Sequence, residues 1–347
     1  MLPTVTPQEV INKLSAKLRV IFSAAALLAC FQIASATSSL PSTASAPLVT
    51  PASSVTPATS STVTKATSST KQTLVPPARR QVPGTHLQLT SATLYVPDFF
   101  TTRPSPVAAN KLATQATATQ ALIFFHGASW VAEQNFYDSH KNAVLISISL
   151  PMDKYGSAMA QPGALDRILA EADSKLTDAD ITSAPISRLC ISSFSGGYGA
   201  VREILASRVR SQQITDVVLA DSLYGPHVPG NETQLETTAT QPFLDFARAA
   251  AEGRDNKHFF FSQLFPPEEK YRTNTTTIAA YYLTDTLAIP RKPTVAKSSR
   301  GAHILYRADK NGFHVFGYAG MTTQDHFDHY YGISDLWKQT SLDDVQP

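Results

Sequence analysis

Five short apolar runs set the tightest limit on what this chain can become. They fall at residues 121–125 and 143–150, the most continuously apolar of the five, and at 188–192, 216–220 and 258–262, each of strand length. Runs this apolar suit strands buried on both faces, the condition of a parallel sheet covered by helices on either side. The segments between them have the complementary pattern. In 164–176, Leu165, Ile168, Leu169, Ala172 and Leu176 recur at helical spacing. Residues 197–208 and 275–287 read as further helices, 302–307 as another strand, and the segment from about Ile333 as a final helix. Residues 86–96 alternate apolar and polar side chains as one half-exposed edge strand would. Strands alternating with helices predict an α/β domain with a mainly parallel central sheet and helices on both faces.

The chain of 347 residues is 43% hydrophobic and 16% charged, an ordinary globular balance sufficient for one large core. Its net charge of +2 comes from 29 basic and 27 acidic residues mixed along the chain. Without a basic stripe, nucleic acid is not an implied partner. The two cysteines, Cys30 and Cys190, provide no disulfide framework.

Residues 1–36 follow the plan of an export signal. Lys13, Lys17 and Arg19 precede an apolar run from Val20 to Ile33, and Ala34-Ser35-Ala36 supplies small residues for cleavage. The run is shorter than the roughly 20 residues that span a bilayer. Leu27-Leu28-Ala29-Cys30 also resembles a bacterial lipobox, which would tether the chain to a membrane through Cys30. Both readings place the folded part outside the cytoplasm. Residues 37–83 are dominated by Ser, Thr, Ala, Pro and Val, with no aromatic between Phe31 and Tyr95. Such a stretch lacks the apolar surface to fold and is expected to be a disordered linker, leaving 84–347 as the domain.

The chemistry is expected at strand ends. The run at 188–192 leads through Ser193-Phe194-Ser195-Gly196-Gly197 directly into a helical segment, so strand and helix must approach across a very tight turn. That geometry forces its central residue into strained backbone and demands small residues two before and two after it. Ser193 and Gly197 meet the demand. The segment resembles the nucleophile elbow of the α/β-hydrolases, Gly-x-Ser-x-Gly, with Ser193 in place of the first glycine. The resemblance implies the α/β-hydrolase fold, Ser195 as nucleophile, no cofactor, and an acyl or other small-molecule substrate. His126-Gly127-Ala128-Ser129, after an earlier strand, resembles the family's oxyanion loop and implies that the N–H groups of Ala128 and Gly196 stabilise the oxyanion.

A serine hydroxyl needs a histidine to take its proton, and that histidine needs a carboxylate to hold its tautomer. The segment Gln324-Asp325-His326-Phe327-Asp328-His329 is read as a loop between the last strand and the last helix, where the family carries its histidine. His326 is preferred and His329 is the alternative. The His-x-x-His spacing also suits a metal, but no further ligand supports one. Asp221, directly after the run at 216–220, is the preferred acid. The alternative lies one strand later, at Glu268, and Asp309 and Asp325 are remoter. Trp130, Phe194 and Tyr198 either line an acyl pocket or pack the core. The leading expectation is a serine hydrolase cleaving a carboxylic ester. The alternatives are an amidase or peptidase with the same triad, and a non-catalytic binding module of this fold.

Overall fold

The computed structural model describes residues 74–101, 118–225, 227–228, 231–265 and 276–345. The export signal, Cys30, most of the linker and Glu268 lie outside the described residues. The chain begins with β1 (Gly84–Gln88) and β2 (Thr93–Pro97), then β3 (Thr119–Phe125), α1 (Ser129–Ser139) and β4 (Val144–Ile148). A short helix α2 (Tyr155–Met159) and the long α3 (Ala164–Asp178) lead to β5 (Ile186–Phe194), α4 (Tyr198–Ser207) and β6 (Ile214–Ala220). Next come β7 (His227–Val228), β8 (Asn231–Leu235), α5 (Thr237–Ala251), β9 (His258–Phe265) and α6 (Thr276–Thr286). The chain closes with β10 (Lys292–Pro293), β11 (Ile304–Lys310), β12 (Phe313–Ala319), α7 (Thr323–Tyr331) and α8 (Ser334–Trp337).

Ten of these strands form one sheet in the order β1-β2-β4-β3-β5-β6-β9-β12-β11-β10. The six central strands, β4 to β12 in that order, run parallel, and antiparallel strands flank them on both sides. Every residue of β3 is buried. Ala121, Ile123 and Phe125 pack into the core on one face, Leu122 and Phe124 into that on the other, which is why the sequence shows a continuous apolar run rather than alternation. This is the α/β-hydrolase fold that the sequence led us to expect.

Three expectations need correction. Residues 86–96 are not one strand but the hairpin β1/β2, turned where Leu89 N–H donates to Ala92 O at 3.0 Å. Residues 129–139, for which no element was expected, form α1. Residues 237–251, for which no element was expected, form α5, whose Phe243, Leu244, Ala247, Ala250 and Ala251 are buried. The pairing of β3 with both β4 and β5 creates a topological switch, and open α/β sheets bind ligands at the carboxyl ends of strands beside such a point.

The amino ends of the strands are closed by the C-terminal segment. Asp216, fully buried at the start of β6, accepts from Ser341 N at 2.7 Å and from Ser341 Oγ at 2.6 Å. Lys141, 2% exposed, donates to Thr340 O and Leu342 O at 3.1 Å and to Asp344 Oδ1 at 2.7 Å. A buried ammonium is tolerated only when its donors are satisfied. Lys141→Met is therefore expected to strand two carbonyls and lower stability by about 3 kcal/mol. Urea denaturation measures it, and a midpoint equal to that of the wild type contradicts it.

Candidate active site

The elbow lies at the carboxyl end of β5. Phe194 ends the strand, residues 195–197 make one 3-10 turn, and α4 begins at Tyr198. Ser195 has φ 48°, a left-handed conformation that costs a non-glycine residue of order 1 kcal/mol or more and is held by its surroundings. Gly197 is required by space: a Cβ there would lie 2.4 Å from Phe125 O. Gly196 is equally crowded, since a Cβ would meet Met152 Cγ at 2.3 Å.

Ser193, standing where the family has glycine, is not a passive small residue. Ser222 Oγ donates to Ser195 O at 2.8 Å, and Ser193 Oγ donates to Ser222 Oγ at 2.8 Å. The hydroxyl that departs from the motif thus ties the elbow to the end of β6. Nothing in the sequence pattern signals this contact.

Asp221 directly follows β6 and also has positive φ, 42°. Its side chain is 2% exposed. Oδ2 accepts from His326 Nδ1 at 2.6 Å, and Oδ1 accepts from Leu264 N at 3.1 Å and from the Thr276 hydroxyl. Burial pushes its pKa up, but the His326 hydrogen bond, the charges of His326 and His329 and the Thr276 hydrogen bond outweigh it, giving about 2. Asp221 is therefore ionised near neutrality.

His326 lies on α7, not in a loop. The reason is a capping box: Thr322 Oγ1 accepts from Asp325 N at 3.1 Å while Asp325 Oδ2 accepts from Thr322 N at 2.8 Å. The signal, Thr322-x-x-Asp325, is legible in the sequence. Asp325 is thereby a helix cap, and Asp309 pairs with His314 at 2.7 Å. The His326 ring stacks on Phe194, the residue before Ser195, with centroids 4.5 Å apart and planes 30° off parallel. The Ser195 hydroxyl makes no hydrogen bond among the described residues.

His329, one turn along α7, addresses a different partner. It is buried, shares a hydrogen bond with Ser262 Oγ at 2.8 Å and packs on Tyr318 with centroids 4.6 Å apart. Burial, with a smaller contribution from His326, lowers its pKa to about 4 against the charge of Asp221. His126, φ 75°, is likewise lowered to about 4 by burial and by His326. In the unfolded chain a histidine titrates near 6.5, so between about pH 6.5 and 4 the unfolded state binds more protons. His329 thus favours the folded state fully above pH 6.5, and about 3 kcal/mol of stability is lost as pH falls to 4. Denaturation at stepped pH is expected to reveal this slope, flattened in His329→Gln; an unchanged slope in the variant counts against it.

The loop 126–128 leaves β3 beside the elbow. Gly127 has φ 134°, and a Cβ there would lie 2.6 Å from the Tyr330 ring. Ala128 is the residue before α1, so the start of α1, like that of α4, faces the carboxyl ends of the central strands. Helix starts carry unpaired N–H groups and favour negative charge. Of the expected pocket aromatics, Phe194 is buried in the stack, Tyr198 lies against Tyr224 at 5.9 Å, and Trp130 is half-buried beside Arg79. Among the described residues, no three or more His, Cys, Asp and Glu side chains are grouped to hold a metal ion.

No family model matches the sequence, and no curated protein matches it. Solved structures that it matches include the enterobactin esterase FES from Shigella flexneri, at 13% identity with a TM-score of 0.37 over 61% of this chain. The match covers 52% of that esterase, so the chain spans about half its length. The thermophilic carboxylesterase EstE1, cloned from a metagenomic library, is matched at 12% identity and a TM-score of 0.37, over 79% of this chain and 92% of that one. An S-formylglutathione hydrolase from Agrobacterium tumefaciens is matched at 11% identity and a TM-score of 0.38, over 76% of this chain and 99% of that one.

Proposed function

We propose that this chain is a serine hydrolase that cleaves carboxylic esters of small molecules through an acyl-enzyme. The observation that carries the reading is the buried Asp221 carboxylate bonded to His326 Nδ1 at 2.6 Å, with the His326 ring stacked on the residue before Ser195. An ionised acceptor on Nδ1 keeps the proton there and leaves Nε2 with the free lone pair of a base. Ser195 Oγ attacks the acyl carbon while its proton passes to His326 Nε2. The oxyanion accepts from the N–H groups of Ala128 and Gly196. Collapse breaks the ester C–O bond, and the leaving alkoxide takes the proton from His326. Water then attacks the acyl-enzyme by the same route, His326 taking and returning a proton, and releases the acid and free Ser195. An ester is preferred over an amide because an alkoxide leaves more readily than an amine.

The test is covalent labelling by a fluorophosphonate, with the adduct mapped by mass spectrometry, alongside turnover of p-nitrophenyl esters of graded acyl length. Labelling at Ser195 with ester turnover is expected. An intact, folded protein that neither labels nor turns over sinks the reading. Export through residues 1–36, with cleavage after Ala36 or lipidation at Cys30, belongs to the same proposal. The amino-terminal residue of the mature protein distinguishes the two.

A further inference from the structure

The oxyanion loop is gripped from two sides by residues that carry no part of the triad. Ser149, just past β4, donates its hydroxyl to Gly127 O, and the Tyr330 hydroxyl donates to Ala128 O. The first contact acts on the peptide unit that matters. Gly127 O and Ala128 N–H belong to one planar trans peptide, in which carbonyl and N–H point in opposite directions. Fixing the carbonyl toward Ser149 therefore fixes the direction in which Ala128 N–H points. Gly127, at φ 134°, has no steric preference of its own to hold that plane.

The second contact ties the loop to the general base. Tyr330 is four residues after His326 on α7, so both side chains lie on one helix face. The Tyr330 ring leaves no room for a Cβ on Gly127 and stacks between Phe124, 5.6 Å away, and Phe194, 5.0 Å away. Phe194 in turn stacks on His326. Base, nucleophile and oxyanion loop thus share one packed set of rings.

We infer that Ser149 and Tyr330 are positioning residues that hold the Gly127–Ala128 peptide so that Ala128 N–H meets the oxyanion. This rests on the serine hydrolase reading above. A donor misplaced by about 1 Å loses most of its effect on the transition state while the ground-state ester is bound as before.

The test compares Ser149→Ala, Ser149→Thr and Tyr330→Phe with the wild type on one p-nitrophenyl ester, together with inhibition by a trifluoromethyl ketone, which forms an oxyanion on Ser195. Ser149→Ala and Tyr330→Phe are expected to lower kcat by about tenfold to a hundredfold with KM within about twofold. Ketone affinity is expected to fall in parallel, and Ser149→Thr, which keeps the hydroxyl, to recover most of the rate. Thermal melting verifies that each variant is folded. Wild-type kcat and ketone affinity in both Ser149→Ala and Tyr330→Phe overturn the inference and leave the triad reading untouched. Equal losses in kcat and in substrate binding, with no selective loss for the ketone, overturn it too. Wild-type turnover in Ser195→Ala, run in the same assay, overturns the hydrolase reading and this inference with it.

Discussion

Ser195→Ala is expected to lower kcat/KM for an activated ester by about 10⁴-fold or more, close to 5.5 kcal/mol of transition-state stabilisation. The change removes one atom. Ser195 Oγ makes no hydrogen bond among the described residues, whereas Ser195 O keeps the Ser222 hydroxyl at 2.8 Å in the variant. Alanine also retains the Cβ and therefore the strain at φ 48°. Stability should accordingly stay within about 0.5 kcal/mol of the wild type, or rise slightly, since strained functional positions are rarely optimised for stability. A variant within threefold of wild-type turnover would end the case for Ser195 as nucleophile.

Asp221→Asn is expected to cost about 10³ to 10⁴ in kcat through the tautomer of His326. The two side chains have the same shape. Leu264 N–H and the Thr276 hydroxyl both donate to Oδ1, so the amide oxygen must occupy that position. The amide NH₂ then faces His326 Nδ1, which can only accept from it. The ring proton moves to Nε2, the atom that takes the Ser195 proton in the proposed mechanism, and that role is blocked. The carboxylate also stabilises the fold. With a folded pKa of about 2 against 3.8 in the unfolded chain, it contributes about 2 kcal/mol above pH 3.8, lost as pH falls to 2. Steady-state kinetics and urea denaturation at neutral pH measure the two losses separately. Unchanged kcat in Asp221→Asn would shift the search for the acid elsewhere.

The elements that the sequence made legible are those whose environment is uniform. Strands β3, β4, β5, β6 and β9 are buried on both faces, so their apolar runs stand out whatever their neighbours are. The hairpin β1/β2 was not legible, because alternation continues through its turn at Leu89–Ala92 and a period of two is the same in one strand as in two. Helix α5 carries its apolar residues at readable spacing, but Pro242 inside it and the short β7/β8 pair before it break the pattern into a loop-like stretch. The start of α7 was available as a capping box and was obscured by the polar Gln324-Asp325-His326.

By itself the sequence determined that this chain builds a mainly parallel sheet between helices, and that Ser195 stands on a turn where only small neighbours fit. Both follow from local rules, side-chain periodicity and the closest approach of strand and helix. Only the tertiary structure decided which histidine faces which acid. His326 and His329 are three residues apart on one helix, and 105 positions separate Asp221 from His326. A helix turns 100° per residue, so the rotation of α7 about its axis, set by packing of Tyr330 and His329 against the sheet, sends one ring to Asp221 and the other to Ser262. Sequence spacing fixes the angle between the two rings, and nothing local fixes the direction in which either points.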